Sequence, residues 1–283
     1  MRSLMVFVVL VALFSVSAAK DEFQTGDFVK QHLNSIGAEQ SRAAVKNRLA
    51  QGALTFQYLN VAGIVNGTLQ FVSEGDKFVS VLKVPSPEYW GEQFASNGKK
   101  TSVKQVRPGT YSALGQFVFE HDEILTEGLW GGTLSTAWAL THLDERLAKL
   151  QDRGLKKVDS RELRRVDYMP KKSSDLEIEL YFEPDTFRHV MTVYSYHVNA
   201  RAGGGPAASA GQEERYYRLE ERFADFKNTD NLTLPGRWTI QFTSGGGGRT
   251  IGRGAASSIS QFEVTGAKIS HNISLDPRNF DIK

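Results

Sequence analysis

The sequence predicts an α+β fold: one large curved antiparallel sheet of about ten or eleven strands, an open half-barrel with helices covering its concave face. Three observations predict it. Apolar residues alternate with period two in many short runs between Leu54 and Ile273. Hairpin signals such as Glu74-Gly75-Asp76 and Asn97-Gly98 separate the early runs. A single stretch in the middle, from Leu114 to Leu150, changes to helical spacing.

The N-terminus reads as an export leader. Arg2 supplies a positive charge, Leu4 to Phe14 is apolar throughout, and Ser15 to Ala19 offers the small-residue patterns Val16-Ser17-Ala18 and Ser17-Ala18-Ala19. We place the signal peptide at residues 1–19, with a single domain over 20–283. The alternative, a membrane anchor, needs ~20 apolar residues, and this run falls short.

The next segment predicts a broken helix. Val29, Leu33 and Ile36 share a face behind Thr25, Gly37 interrupts, and Ala43 to Leu49 continue more weakly to a stop at Gly52. Strands follow, with Leu54, Phe56 and Tyr58, then Leu69 and Phe71, on one side of the chain. Asn66-Gly67 lies inside this pattern as a turn or bulge, and Pro85-Ser86-Pro87 ends pairing before the piece containing Tyr89, Trp90 and Phe94. After Pro108-Gly109, Leu114 to Leu125 predict one helix, and Trp138 to Leu150 a second, capped by Thr133 or Ser135 and ended by Gly154. Strands then resume at Leu163–Met169, Leu176–Phe182, Val190–Val198, Tyr216–Phe226, Trp238–Phe242, Ile259–Val264 and Ile269–Ile273. The glycine clusters at Gly203–Gly205 and Gly245–Gly248 read as hairpin loops.

Composition removes whole classes of function. A net charge of +2 from 34 basic and 32 acidic residues gives no electrostatic basis for a nucleic-acid partner. The absence of cysteine excludes disulfides, thiolate chemistry, cysteine-ligated metals and a lipidated N-terminal cysteine. An exported chain without disulfides points to a bacterial envelope, periplasmic or secreted, so the sequons at Asn66, Asn231 and Asn272 read as chance.

No catalytic or metal constellation emerges, and the chain is read as a non-enzyme without cofactor. His189 and His197 share strand parity but lack further ligands. Asp144-Glu145-Arg146 and Glu220-Glu221-Arg222 read as solvated charge clusters, and Gly252-Arg253-Gly254 lacks the strand-to-helix context of a phosphate loop. The aromatics are more informative. Helices laid across a curved sheet enclose an apolar space suited to an acyl chain, and Phe56, Phe71, Trp90, Trp130, Trp138, Tyr194, Tyr196 and Trp238 are its candidate lining. The alternative is that they fill a solid core.

The order of elements, together with Ser96-Asn97-Gly98-Lys99, Tyr168-Met169-Pro170-Lys171 before Asp175-Leu176-Glu177-Ile178, Phe182-Glu183-Pro184-Asp185-Thr186, Leu232-Thr233-Leu234-Pro235 and Asn279-Phe280, resembles the LolA/LolB-like lipoprotein carriers. The resemblance implies an open half-barrel whose helices close over a hydrophobic cavity. It also implies a lipid or lipoprotein acyl chain as ligand, with peripheral membrane contact. The family's functional arginine near the early strands has no aligned position in this chain. A competing expectation is a non-catalytic module that binds an envelope protein through a sheet edge or the glycine-rich loops.

Overall fold

The computed structural model describes residues 23–86, 89–198, 215–246 and 258–282. The leader, Gly203–Gly205 and Gly252–Gly254 lie outside them. Helix α1 (Thr25–Ile36) buries Phe28, His32 and Ile36, with the expected Val29 and Leu33 at the border of that stripe. Helix α2 (Glu39–Ala43) is a single short turn. The expected continuation of helix to Gly52 is overturned, because β1 (Asn47–Tyr58) already begins at Asn47. Ala50 and Leu54 are buried in the core, and Gly52 sits at a bulge where β1 pairs with the last strand. Burial on a sheet outweighs a weak helical spacing.

Strands β2 (Val65–Glu74), β3 (Lys77–Lys83), β4 (Gly91–Ser96) and β5 (Thr101–Gln105) complete a meander. Its turns at Gly75 and Gly98 have φ of +57° and +81°, which is why glycine stands there. Asn66-Gly67 lies within β2 rather than at its turn.

The middle segment holds α3 (Ala113–Glu120), α4 (Glu123–Thr126), two 3-10 turns at Gly132–Leu134 and Ala139–His142, and α5 (Leu143–Arg146). The long second helix expected over Trp138 to Leu150 is absent. Gly131 and Gly132 adopt positive φ, the Ser135 hydroxyl accepts from the Ala137 amide, and β6 starts at Lys149. A serine that bonds its neighbouring backbone competes with helix formation. Gly154 marks a bulge in β6 rather than a helix end.

A second meander follows: β6 (Lys149–Val158), β7 (Arg161–Met169), β8 (Glu177–Phe182), β9 (His189–Val198) and β10 (Arg215–Ala224). The small hairpin β11 (Lys227–Thr229) and β12 (Leu232–Leu234) leads to β13 (Arg237–Gly246) and β14 (Ser258–His271). The last two expected strands are therefore one.

The twelve-stranded sheet has the order β5-β4-β3-β2-β1-β14-β13-β10-β9-β8-β7-β6, a little larger than expected and antiparallel throughout. Its two edges, β5 and β6, are consecutive in sequence, so residues 106–148 must travel from one edge to the other. They do so across the concave face, and we call them the lid. The free edge β6 carries Lys149, Arg153, Lys156, Lys157 and a bulge, features that discourage pairing with another chain.

Strand parity divides the two faces. Phe71, Phe94, Leu180, Phe182, Tyr194, Leu219, Phe223, Trp238, Phe242 and Phe262 join one buried cluster with the lid. The outer face is ion-paired, as in Arg165–Glu179 and Arg222–Glu220. His189 and His197 do not share a face: a bulge in the β8–β9 pairing turns His189 inward, where it is buried, while His197 is exposed beside Tyr216.

Candidate functional site

The lid is fastened to the sheet by side chains that rise from buried positions on the concave face. At its start, Glu92 of β4 is fully buried and accepts from the Ser112 amide (2.8 Å), the Ser112 hydroxyl (2.7 Å) and the Tyr89 hydroxyl (3.0 Å). Ser112 in turn caps α3, its Oγ accepting from the Gly115 amide. Burial raises the Glu92 pKa against the pull of these donors.

Over residues 128–138 the backbone is irregular, so its polar groups need partners from elsewhere. The Gly131 amide donates to Glu221 Oε1 (2.8 Å), Trp238 Nε1 donates to the same oxygen (3.1 Å), and the Tyr194 hydroxyl donates to Oε2 (2.8 Å). Glu221 is fully buried, and burial pushes its pKa up to about 7. Trp130 Nε1 donates to Ser80 Oγ (2.8 Å), and the Thr136 amide to Ser73 Oγ (3.0 Å). The Arg48 guanidinium donates to the Thr133 carbonyl (2.6 Å) and to His271 Nε2 (3.1 Å).

Trp138 Nε1 donates to His32 Nε2 (2.8 Å), while His32 Nδ1 lies 2.9 Å from the Phe187 carbonyl. Accepting at one nitrogen and donating from the other defines a neutral imidazole, and burial lowers its pKa to about 4. Gly131 and Gly132 let the lid approach this closely. A Cβ on Gly131 would stand 2.6 Å from the Phe71 ring, and one on Gly132 2.8 Å from Phe223.

The eight aromatics singled out from the sequence fall into separate places. Phe71, Trp130 and Trp238 form one group, Trp130 lying 5.4 Å from Trp238 and Phe71 5.9 Å from it. Trp138 stacks on His189 at 4.5 Å, and Tyr194 stands beside the Glu221 carboxylate. Phe56 packs on Phe262 at 4.8 Å. These six are buried. Tyr196 is half-buried, stacking with Tyr217 at 6.2 Å and lying 4.6 Å from the His121 ring. Trp90, also half-buried, carries the Arg107 guanidinium 3.3 Å over its ring.

Around Tyr196 lie two open clefts. One of about 610 Å³ runs between the 120–127 turn of the lid and the β7–β8 loop at 170–175. The other, of about 470 Å³, lies beside α3 over Phe117 and Tyr217. A smaller pocket of about 180 Å³ lies beside Arg48 and Thr133, where α2 and the start of β1 face the lid. Among the described residues no group of three or more His, Asp or Glu is placed to hold a metal ion, and no helix is long and apolar enough to cross a membrane.

Sequence reasoning missed Arg48, Glu92 and Glu221. All three carry a signal: Glu92 has the parity of Phe94, Glu221 that of Leu219 and Phe223, and Arg48 that of Ala50, Leu54 and Phe56, so each charge falls in an apolar register. For Arg48 the signal is hidden by the weak helical spacing expected up to Gly52. Arg146, expected in solvent, instead donates to the Thr126 and Ala137 carbonyls within the lid.

No protein-family model matches the chain, and no curated protein matches it. Among solved structures the chain is similar to a LolA superfamily protein from Nitrosomonas europaea, at 12% identity over 92% of this chain and 99% of that one, with a TM-score of 0.46. It is similar to a domain assigned to outer membrane lipoprotein sorting from Vibrio parahaemolyticus, at 9% identity over 91% and 97% of the two chains, TM-score 0.44. A DUF1329 family protein from Desulfovibrio piger is similar at 8% identity over 90% and 96%, TM-score 0.43.

Proposed function

We propose that the protein is a non-catalytic carrier of the bacterial envelope that binds a lipid, or the acyl chain of a lipoprotein, between the lid and the concave face. The observation behind this reading is how the lid is held. Residues 128–138 meet the sheet and α1 through six side-chain hydrogen bonds, involving Ser73, Gly75, Ser80, Arg48, Glu221 and His32, and share no strand with the sheet. Each contributes about 1 kcal/mol net. Burying an acyl chain of ten methylenes contributes about 8 kcal/mol before ordering costs, which offsets these bonds provided that Trp130 and Trp138 stay covered by the ligand as the segment moves.

In this reading Trp130 and Trp138 hold, in the closed form, the apolar space a ligand takes over. Phe56, Phe71, Tyr194 and Trp238 form its floor, Tyr196 stands at the clefts, and Trp90 at the rim. Transfer to or from a membrane needs an apolar surface, and Leu59, Val61 and Ile64, which are 46%, 62% and 64% exposed on the β1–β2 turn, supply one. The stretch from Leu49 to Ser73 contains no charged residue to oppose contact with lipid.

The test is to express the full chain in a bacterial host, purify it from the periplasm, and record native mass spectra before and after organic extraction. A removable mass identified as lipid, with uptake of a fluorescent fatty acid by the extracted protein, is the expected result. A second reading, a module that binds an envelope protein, is favoured by one observation: the aromatic side chains of the lid already fill the concave face. Neither a lipid mass nor uptake would turn the interpretation to that partner.

A further inference from the structure

The pocket beside Arg48 has a composition unlike the other clefts. Its described lining includes Arg42 of α2, Lys46 just before β1 and Arg48 of β1, with Thr133, Ser135, Thr136, Thr141 and His142 from the lid, and no carboxylate among the described lining residues. Arg48 is 5% exposed, and its own partners, a backbone carbonyl and the His271 imidazole, carry no negative charge. Two carboxylates stand one imidazole away: Asp230, whose Oδ2 is 2.8 Å from His271 Nδ1, and Glu145, whose Oε2 is 3.4 Å from Nδ1 of the lining His142. A buried guanidinium without an anionic partner is costly, and an anion beside it relieves that cost. On the lid side, the Thr133 hydroxyl is buried and has no hydrogen-bond partner among the described residues. Three cationic residues and four hydroxyl residues line a space of about 180 Å³, roughly six times the volume of one liquid water. Thr136 Oγ1 already donates to the Gly75 carbonyl and Arg42 Nε to the Gly37 carbonyl, which leaves the Thr133 hydroxyl and the other guanidinium and ammonium N–H groups for a ligand.

We propose that this pocket binds a tetrahedral oxyanion, the phosphate of an amphiphile headgroup or free phosphate, between Arg42, Lys46 and Arg48 and the lid hydroxyls of Thr133 and its neighbours. Guanidinium and ammonium groups give charge-assisted hydrogen bonds to phosphate oxygens, and hydroxyls satisfy the remaining acceptors. Because one wall belongs to the sheet and α2 and the other to the lid, an anion there contacts both sides of the closure at Thr133. The inference rests on the carrier reading only for the source of the phosphate. The anion site itself follows from the pocket.

The experiment is calorimetric titration of the extracted, full-length protein with three probes: inorganic phosphate, dodecyl phosphate and dodecanol. We expect dodecyl phosphate to bind at least about tenfold more tightly than dodecanol, as two or three charge-assisted bonds require. That preference should vanish in Arg42→Gln/Lys46→Gln, whose side chains lie at the outer wall, with dodecanol binding unchanged. Arg48→Met should remove it as well, and the outer-wall pair keeps the test valid if Arg48→Met fails to fold. Saturable binding of inorganic phosphate, lost in the same variants, would show that the free anion suffices. Equal binding of the two dodecyl probes with no phosphate binding overturns the anion site and leaves the carrier reading intact. Phosphate binding with no affinity for either dodecyl probe supports the site and removes the carrier reading.

Discussion

Replacing Glu221 with glutamine isolates the charge beneath the lid. The wild-type carboxyl has a folded pKa of about 7 against an ordinary value of 4.5, because burial disfavours its charged form. Between those values the folded state keeps a proton that the unfolded chain releases. Stability from this group is therefore greatest at acid pH and is lost as pH rises through 7. From pH 5 to pH 8 the loss is about 2–3 kcal/mol. Glutamine matches the shape: its oxygen can accept from the Gly131 amide and Trp238 Nε1, and its amide can donate to the Tyr194 hydroxyl. Glu221→Gln should thus lie close to wild type at pH 5 and exceed it by about 2–3 kcal/mol at pH 8. His32 and His189, held neutral by burial, act in the opposite direction at acid pH, but they are present in both proteins and cancel in the difference. Urea unfolding followed by tryptophan fluorescence at pH 5, 6, 7 and 8 measures that difference. A gap between the two proteins that stays constant across this range would refute the reasoning, because no titrating carboxyl would then be buried there.

Three further outcomes follow from the same geometry. Arg48→Met removes the bond to the Thr133 carbonyl and should lower stability by about 1–3 kcal/mol while speeding hydrogen exchange of lid amides 131–136; unchanged exchange would mean that Arg48 does not hold the lid. Gly115→Ala places a Cβ 2.0 Å from Glu92 Oε1 and should cost about 2 kcal/mol or more, whereas Gly26→Ala, with open space around its Cβ in α1, should gain about 0.5–1 kcal/mol. Thermal melts showing the reverse order would contradict the placement of α3 on Glu92. Val61→Asp/Ile64→Asp should reduce flotation with lipid vesicles without lowering the melting temperature, and undiminished flotation would remove the β1–β2 turn as the membrane contact.

The sheet was legible because its strands alternate cleanly. Leu176 to Phe182 and Trp238 to Phe242 each show one dry face, and the turns at Gly75 and Gly98 announced their hairpins. The interruption between β5 and β6 is also visible, though its second half forms two 3-10 turns and a four-residue helix in place of the expected long helix. Trp138, Leu140, Leu143, Leu147 and Leu150 have helical spacing, yet the backbone there follows the partners of Gly131, Thr136 and Trp138 on other elements, which no local pattern encodes. The concave position of the large aromatics on strands follows from parity. What lies opposite them does not, because it depends on β5 and β6 being the two edges, a matter of strand order. The polar fastenings were the least legible. Glu221 sits in Glu220-Glu221-Arg222, where composition suggests a wet surface, and only its register between Leu219 and Phe223 marks it as buried.

The central claim is that an acyl chain binds beneath the lid and that the lid must move to admit it. The chain has no cysteine of its own, and the Thr136 amide donates to Ser73 Oγ (3.0 Å) where the lid meets β2, so Ser73→Cys/Thr136→Cys places the one cysteine pair at that contact, to be oxidised to an intended bridge. Uptake of a fluorescent fatty acid by this variant, with the bridge verified by mass, should be absent in the oxidised protein and restored by reductant. Equal uptake in the two states would contradict the claim.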